Sequence, residues 1–165
     1  VHVHPMHSMH YIENRLLPEI EQGAQLAGRE SSDVDLIVPV FAVAGDTAEE
    51  RAPWVHRAKT QIAFYGTTPN YSFQFEDLGF EGVTTALRDK MGAGDLQGMA
   101  DTISDDMLDH FALVSTWNEM ADRLKDRYEG TASRVVMYLT EEQMRKDPES
   151  VDKWGEVARA SRSKK

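Results

Sequence analysis

An almost unbroken apolar run, Leu36-Ile37-Val38 and Val40-Phe41-Ala42-Val43, lies near the middle of the first half of the chain. A strand with one wet face alternates apolar and polar positions. This run does not, so it predicts a strand buried on both faces, the habit of parallel strands in α/β folds. It stops at Gly45, where Asp46 and Glu49 have the spacing of a capping box and predict a helix start. Val55, Ala58, Ile62 and Tyr65 then recur at helical spacing and would lay one face on a sheet. Two prolines oppose the pattern. Pro39 removes a ladder donor from a mid-sheet strand, and Pro53 should kink or delay the helix.

The flanking segments repeat the alternation of strand and helix. Val1 to Pro5 (VHVHP) has the period of a short strand. Ser8 can cap a helix with Ile12, Leu16, Ile20 and Ala24 on one stripe, bent by Pro18 and ended by Gly28. Thr67 to Gly82 mixes turn formers with aromatics, which suits an ordered loop over a pocket. Phe80, Val83, Leu87 and Met91 predict a helix that GAGD (Gly92 to Asp95) breaks. Leu96 to Phe111 predicts one or two short helices, and Phe111 to Val114 a brief apolar segment. Thr116 and Glu119 suggest a second capping box, with Met120, Leu124 and Tyr128 below it. Arg134 to Leu139 (RVVMYL) is the third strand candidate. The reading is therefore an α/β domain over residues 1–139, with a helical insertion at about 67–112 and a charged helical tail at 140–165. Successive βα units imply a parallel sheet. Three strands cannot close a barrel, and a sheet covered on one side leaves a raw edge and a bare apolar face. The pattern is that of part of a larger fold.

Composition narrows the function. The net charge of −10 and pI near 5.0 argue against nucleic acid and acidic membrane surfaces, which want basic patches. Zero cysteines exclude disulfides, thiol catalysis and cysteine-built zinc sites, and fit a reducing cytoplasm. No apolar run reaches membrane-spanning length and no signal-peptide pattern is present. The chain begins at Val1, already in a strand-like alternation, which suggests a processed product or a cropped piece.

Chemistry concentrates at the start. His2, His4, His7 and His10 fall within ten residues. His2 and His4 would point the same way on a strand, a feasible pair of metal ligands and the germ of a metal-dependent hydrolase. The plainer reading is polar residues closing a strand end and opening a helix. No G-x-S-x-G, P-loop or G-x-G-x-x-G occurs. MGAGD (Met91 to Asp95) follows a helix and reads as a turn. Asp105-Asp106 and Glu141-Glu142 read as helix N-terminal charges. In parallel α/β folds chemistry gathers at the carboxyl ends of strands. Here those are His4-Pro5-Met6-His7, Ala44-Gly45-Asp46 and Thr140-Glu141. The Tyr65 to Tyr71 loop leaves the far end of a helix and belongs on the opposite rim unless the excursion climbs back.

Three segments, HVHPMHSMHYIENRLLPEIEQGAQLAG, DLIVPVFAVAGDTAEERAPWVHRAKTQIAFYGTTPNY and LDHFALVSTWNEMADRLKDRYEGTASRVVMYL, together resemble the C-terminal portion of luciferase-like monooxygenases. The likeness is greatest to the branch that uses the deazaflavin coenzyme F-420. It implies that the three strands are the sixth to eighth of a TIM (β/α)8 barrel, incomplete alone. It implies an F-420- or FMN-dependent oxidoreductase acting on a small-molecule substrate, in which a hydride passes to or from the cofactor ring, or reduced flavin activates oxygen. By the same likeness His4, Pro5 and Met6 line the cofactor, and His4 or His7 serves as acid or base. Tyr65, Thr67 and Thr68 border the substrate space. His110 stands where some relatives carry an arginine, which argues against phosphate-bearing substrates. The first five strands are missing from the chain, so tight flavin binding is not expected, and the isolated chain should be inactive. It would pair with a second copy or with the missing barrel half. A non-catalytic, self-associating fragment is the alternative of another class.

Overall fold

The computed structural model describes residues 1–162. Its centre is β1 (Ile37–Ala44), flanked by β2 (Ala112–Ser115) and β3 (Arg134–Tyr138), both parallel to it, in the order β2-β1-β3. Phe41 to Ala44 pair with Ala112 to Ser115, and Ile37 to Phe41 pair with Arg134 to Tyr138. The strand β2 stands where the sequence shows only a brief apolar segment, because four residues are too few to display a period. The N-terminal segment is less of a strand than expected. It makes one parallel bridge, His2 to Ile37, with Val3 N–H donating to Ile37 O at 2.9 Å and Ile37 N–H to Val1 O at 2.8 Å.

Pro39 is accommodated by this arrangement. Alternate residues of β1 turn their N–H and C=O to opposite flanks. Ile37 bonds to the N-terminal segment, and Gly45 N–H donates to Ser115 O beyond the end of β2. Pro39 faces that same flank, at a level above the Val1–Val3 bridge and below the first β2 pair at Phe41. The missing N–H deprives no strand.

The path from β1 to β2 and the path from β2 to β3 cross the sheet in opposite directions, so right-handed connections put their helices on opposite faces. Burial agrees. Val38, Val40, Ala42 and Ala44 join one core with Leu124, Tyr128, Trp154 and Val157; these lie on α8 (Trp117–Tyr128) and α10 (Glu149–Ala160). Phe41 and Val43 join a second core beneath α3 (Ala48–Gly66). Both faces are thus covered, where the sequence led us to expect one bare. What stays open is the outer flank of β3, where Val136 is 44% exposed.

Helix boundaries follow local chemistry. Ser8 Oγ accepts from Tyr11 N–H and starts α1 (Met9–Tyr11), which widens into a π-helical stretch (Ile12–Leu16) before α2 (Leu17–Leu26). Pro18 has no N–H for the carbonyl one turn back, and the expected bend takes the form of this wider turn. α3 is capped by Thr47 rather than Asp46: Thr47 Oγ1 accepts from Glu50 N–H, while the Glu50 carboxylate accepts from Asp46 N–H at 2.7 Å. Only half of the expected capping box forms: the Glu50 carboxylate returns to Asp46 N–H and not to the cap residue Thr47. Pro53 sits inside α3 without ending it. The Thr116 hydroxyl donates to the Glu119 carboxylate instead of capping the backbone of α8.

The excursion after α3 runs through a 3-10 turn (Pro69–Tyr71), α4 (Phe73–Glu76), α5 (Val83–Gly92), α6 (Leu96–Thr102) and α7 (Asp105–Phe111). Asp105 and Asp106 occupy the first turn of α7; Glu141 and Glu142 occupy that of α9 (Glu141–Lys146). Gly66 ends α3 where three helices meet. A Cβ there would come 2.7 Å from Leu87 Cδ1 and 2.9 Å from Phe75 Cε2. Gly66→Ala should therefore lower the unfolding free energy by about 1–3 kcal/mol through overpacking, seen as a lower urea midpoint at unchanged slope. No helix among the described residues is long and apolar enough to cross a membrane.

Candidate functional site

After Val3 the chain leaves β1 and His4 turns onto the α3 face of the sheet. Its ring meets Tyr65 edge-on at 4.7 Å and Tyr71 at 4.8 Å. The Tyr65 hydroxyl lies 3.3 Å from that of Tyr138, the last residue of β3, and the Tyr138 ring abuts Phe41 at 5.5 Å. Five side chains from five segments thus form one aromatic wall. α3 returns along the sheet, so its last turn brings Tyr65 back to His4. The wall lies partway up the sheet and reaches the carboxyl end through Tyr138 and Phe41, rather than standing on the rim itself.

Hydrogen bonds fix the protonation of this wall. Met6 N–H donates to His4 Nδ1 at 3.1 Å, so Nδ1 is unprotonated and neutral His4 carries its proton on Nε2. Burial holds the His4 pKa below its ordinary value. The Tyr65 phenol is pushed up to about 12, first by its bond with Tyr138 and then by desolvation. At neutral pH His4 and Tyr65 are both uncharged and His4 is a hydrogen-bond donor. Accepting a proton at Nδ1 would require releasing Met6.

The other expected residues are placed apart. His7 is 1% exposed. Its Nδ1–H donates to His4 O at 2.9 Å, and its Nε2 accepts from Tyr128 Oη at 3.1 Å. Met6 is buried in the core beneath α3. Thr67 is buried and its hydroxyl donates to Phe64 O at 2.7 Å, while Thr68 is exposed. His110 is exposed against Phe80, 5.8 Å between rings. So His4 and Tyr65 come together, and His7 supports His4 from behind through the His4 carbonyl. Thr68 joins the wall through its backbone, its N–H donating to Tyr65 O at 3.0 Å and its carbonyl accepting from Tyr71 N–H at 2.9 Å, while its side chain is exposed. Tyr138 and Tyr71 were not singled out from the sequence. Tyr138 could have been, since it closes a strand at the carboxyl end. Among the described residues no three His, Asp or Glu side chains gather as a metal site, and His4 Nδ1 is already engaged.

Above the wall, between α3 and the carboxyl ends of β1 and β3, is a cavity of only about 10 Å³, room for a single water. Phe41, Trp54, Arg57, Tyr138, Leu139 and Gln143 line it. Ligand pockets commonly measure about 300–1,000 Å³. Its one cation, Arg57, is engaged by Glu141 and Glu142. The residues present therefore make one wall for a flat ring and do not by themselves enclose a phosphate-bearing redox cofactor.

An unclosed three-stranded parallel sheet with helices on both faces is an α/β architecture. The sequence profile of the luciferase-like monooxygenases matches residues 1–134, and the chain belongs to that family. Uncharacterized proteins of Mycobacterium bovis and of two Mycobacterium tuberculosis strains are each 32% identical to it over 133 residues, 81% of this chain. The chain spans only 39% of the length of those relatives. A coenzyme F420 dependent tetrahydromethanopterin reductase from Methanopyrus kandleri shares the fold, with a TM-score of 0.64 at 18% identity over 81% of this chain and 38% of that one. The fold is thus a part of the TIM-barrel-like architecture of this family, with the sheet unclosed.

Proposed function

We propose that this chain is the C-terminal part of a coenzyme F-420- or flavin-dependent oxidoreductase acting on a small molecule in the cytoplasm. The observation that carries this reading is the aromatic wall of Tyr65, Tyr71 and Tyr138 around a neutral His4. A planar ring system stacks well on such a surface, and an Nε2–H donor suits a ring carbonyl or developing negative charge. His4 is the residue assigned to contact; His7, buried behind it, positions it. Tyr65 borders the substrate side, Thr67 is buried beneath it, and Thr68 and His110 belong to the surrounding surface. The remaining strands, from a second segment or a second copy, supply the phosphate-holding groups that this wall lacks.

Fluorescence titration of the full chain with coenzyme F-420 and with FMN tests the proposal. One of the two should bind weakly, and His4→Ala or Tyr65→Ala should weaken that binding by about fivefold or more, the loss of one hydrogen bond or one ring contact. Binding that neither variant alters, or no response to either cofactor, would overturn it in favour of a non-catalytic, self-associating fragment.

A further inference from the structure

We propose that two copies of this chain pair through the outer flank of β3, strand against antiparallel strand, with Val136 on the two-fold axis. β3 is the last strand on its side of the sheet, and no strand among the described residues lies beyond it. Arg134 N–H donates to Leu36 O at 3.3 Å, so Arg134, Val136 and Tyr138 turn their backbone groups toward β1. Val135 and Met137 turn theirs outward. Such a flank is a template for another strand unless proline, an inward charge or a bulge guards it. β3 has none of these guards, and its one charge stands at the first position. Val136, 44% exposed, lies at its middle. The pairing needs only the unclosed sheet and is separate from the reading of the cofactor wall.

In one register β3 is complementary to itself. Placing Val136 opposite Val136 sets Val135 opposite Met137 on either side of the axis, and these are the pairs that exchange backbone bonds. It also sets Arg134 opposite Tyr138 of the other copy, a cation against an aromatic ring rather than against its like. Arg134 is exposed, and no ion pair holds its side chain among the described residues. Charge chooses the direction. Lys125, Arg134 and Arg162 line a groove at the start of β3, with Glu129 the one acid among them. Glu141 and Glu142 open α9 just past the end of β3, and Glu141 is 68% exposed in its pair with Arg57. Antiparallel strands set the basic end of one copy against the acidic end of the other. A parallel approach would set like upon like. The groove measures about 750 Å³ and is floored by Leu124, Val135 and Met137. Met137 of the second copy, opposite Val135 and on the same face, would cover it.

Sedimentation equilibrium of the full chain across the micromolar range should give twice its 18.6 kDa. Val136→Lys, which sets two ammonium groups side by side on the axis, should weaken the dimer about tenfold and keep the native thermal melt. Register is read separately with cysteine, since the chain has none of its own. Facing residues that exchange no backbone bonds lie about 4.5 Å apart between Cα atoms, within disulfide reach. Val136→Cys should therefore form a covalent dimer under diamide about tenfold faster than Arg134→Cys, whose two copies stand roughly 13 Å apart along the strands. A monomer at every concentration, a dimer indifferent to Val136→Lys, or equal cross-linking of the two cysteine variants would each overturn the proposal. If Val136→Lys melts early, the comparison of the cysteine variants carries the test by itself. None of these measurements uses a redox cofactor, so they fail or succeed independently of the reading of the His4 wall.

Discussion

Trp154→Ala should lower the unfolding free energy by about 3–5 kcal/mol and the melting temperature by roughly 10 °C. Trp154 is 1% exposed, and its ring meets Trp117 edge-on at 5.0 Å. Its Nε1–H donates at 3.1 Å to Gln143 Oε1, the same amide whose nitrogen caps Ala44 O. Alanine would open a large cavity between α8 and α10 and leave the Gln143 oxygen without a donor in a dry place. Trp154→Phe should recover most of the packing but not that bond, a loss nearer ~1 kcal/mol. Urea melts followed by far-ultraviolet circular dichroism measure both. An alanine variant within ~1 kcal/mol of the parent would mean that α10 is not part of the cooperative unit.

The second large effect is on acid stability. His7 is buried and neutral, and burial lowers its pKa to about 4 from 6.5. The surrounding groups are His4, whose carbonyl accepts from Nδ1–H; Tyr128, whose hydroxyl donates to Nε2; and the Arg127 charge, which opposes protonation. Between those two values the unfolded chain binds a proton that the folded chain refuses. Stability is therefore full above about pH 6.5 and falls as pH drops toward 4, by about 3 kcal/mol in all. Chemical denaturation from pH 7 to 5 should show the midpoint falling with acid. His7→Gln should flatten that slope, since carboxylates contribute chiefly below this window. His4, lowered in the same direction, leaves a smaller residual slope. A slope identical in His7→Gln would place the acid response elsewhere.

Periodicity was enough to find β1, α3, α5 and α8, because each repeats a buried position often enough to be counted. It failed where an element was short or its burial was decided from afar. β2 needs the neighbouring half of β1 to be a strand at all, and VHVHP alternates like a strand yet pairs at a single bridge. Thr47 and Asp46 are both good caps, and only the backbone path chose between them. His4 and His7 stand three residues apart with similar neighbours in sequence. Nothing local tells that one faces tyrosines and the other is sealed behind it, since that depends on Tyr128, 121 residues away. Tyr65 was placed in the site by resemblance alone; the return path of α3 supplies the physical reason.

Pro39 has a wider effect than its own missing bond. Had that position carried an N–H, the carbonyl of Val3 would be its next acceptor along the flank, and the first strand could zip onward beside β1. His4 would then be drawn into the ladder and away from Tyr65 and Tyr71. An imino acid that looks like a blemish in a central strand is thus the release point that hands an imidazole to its aromatic neighbours.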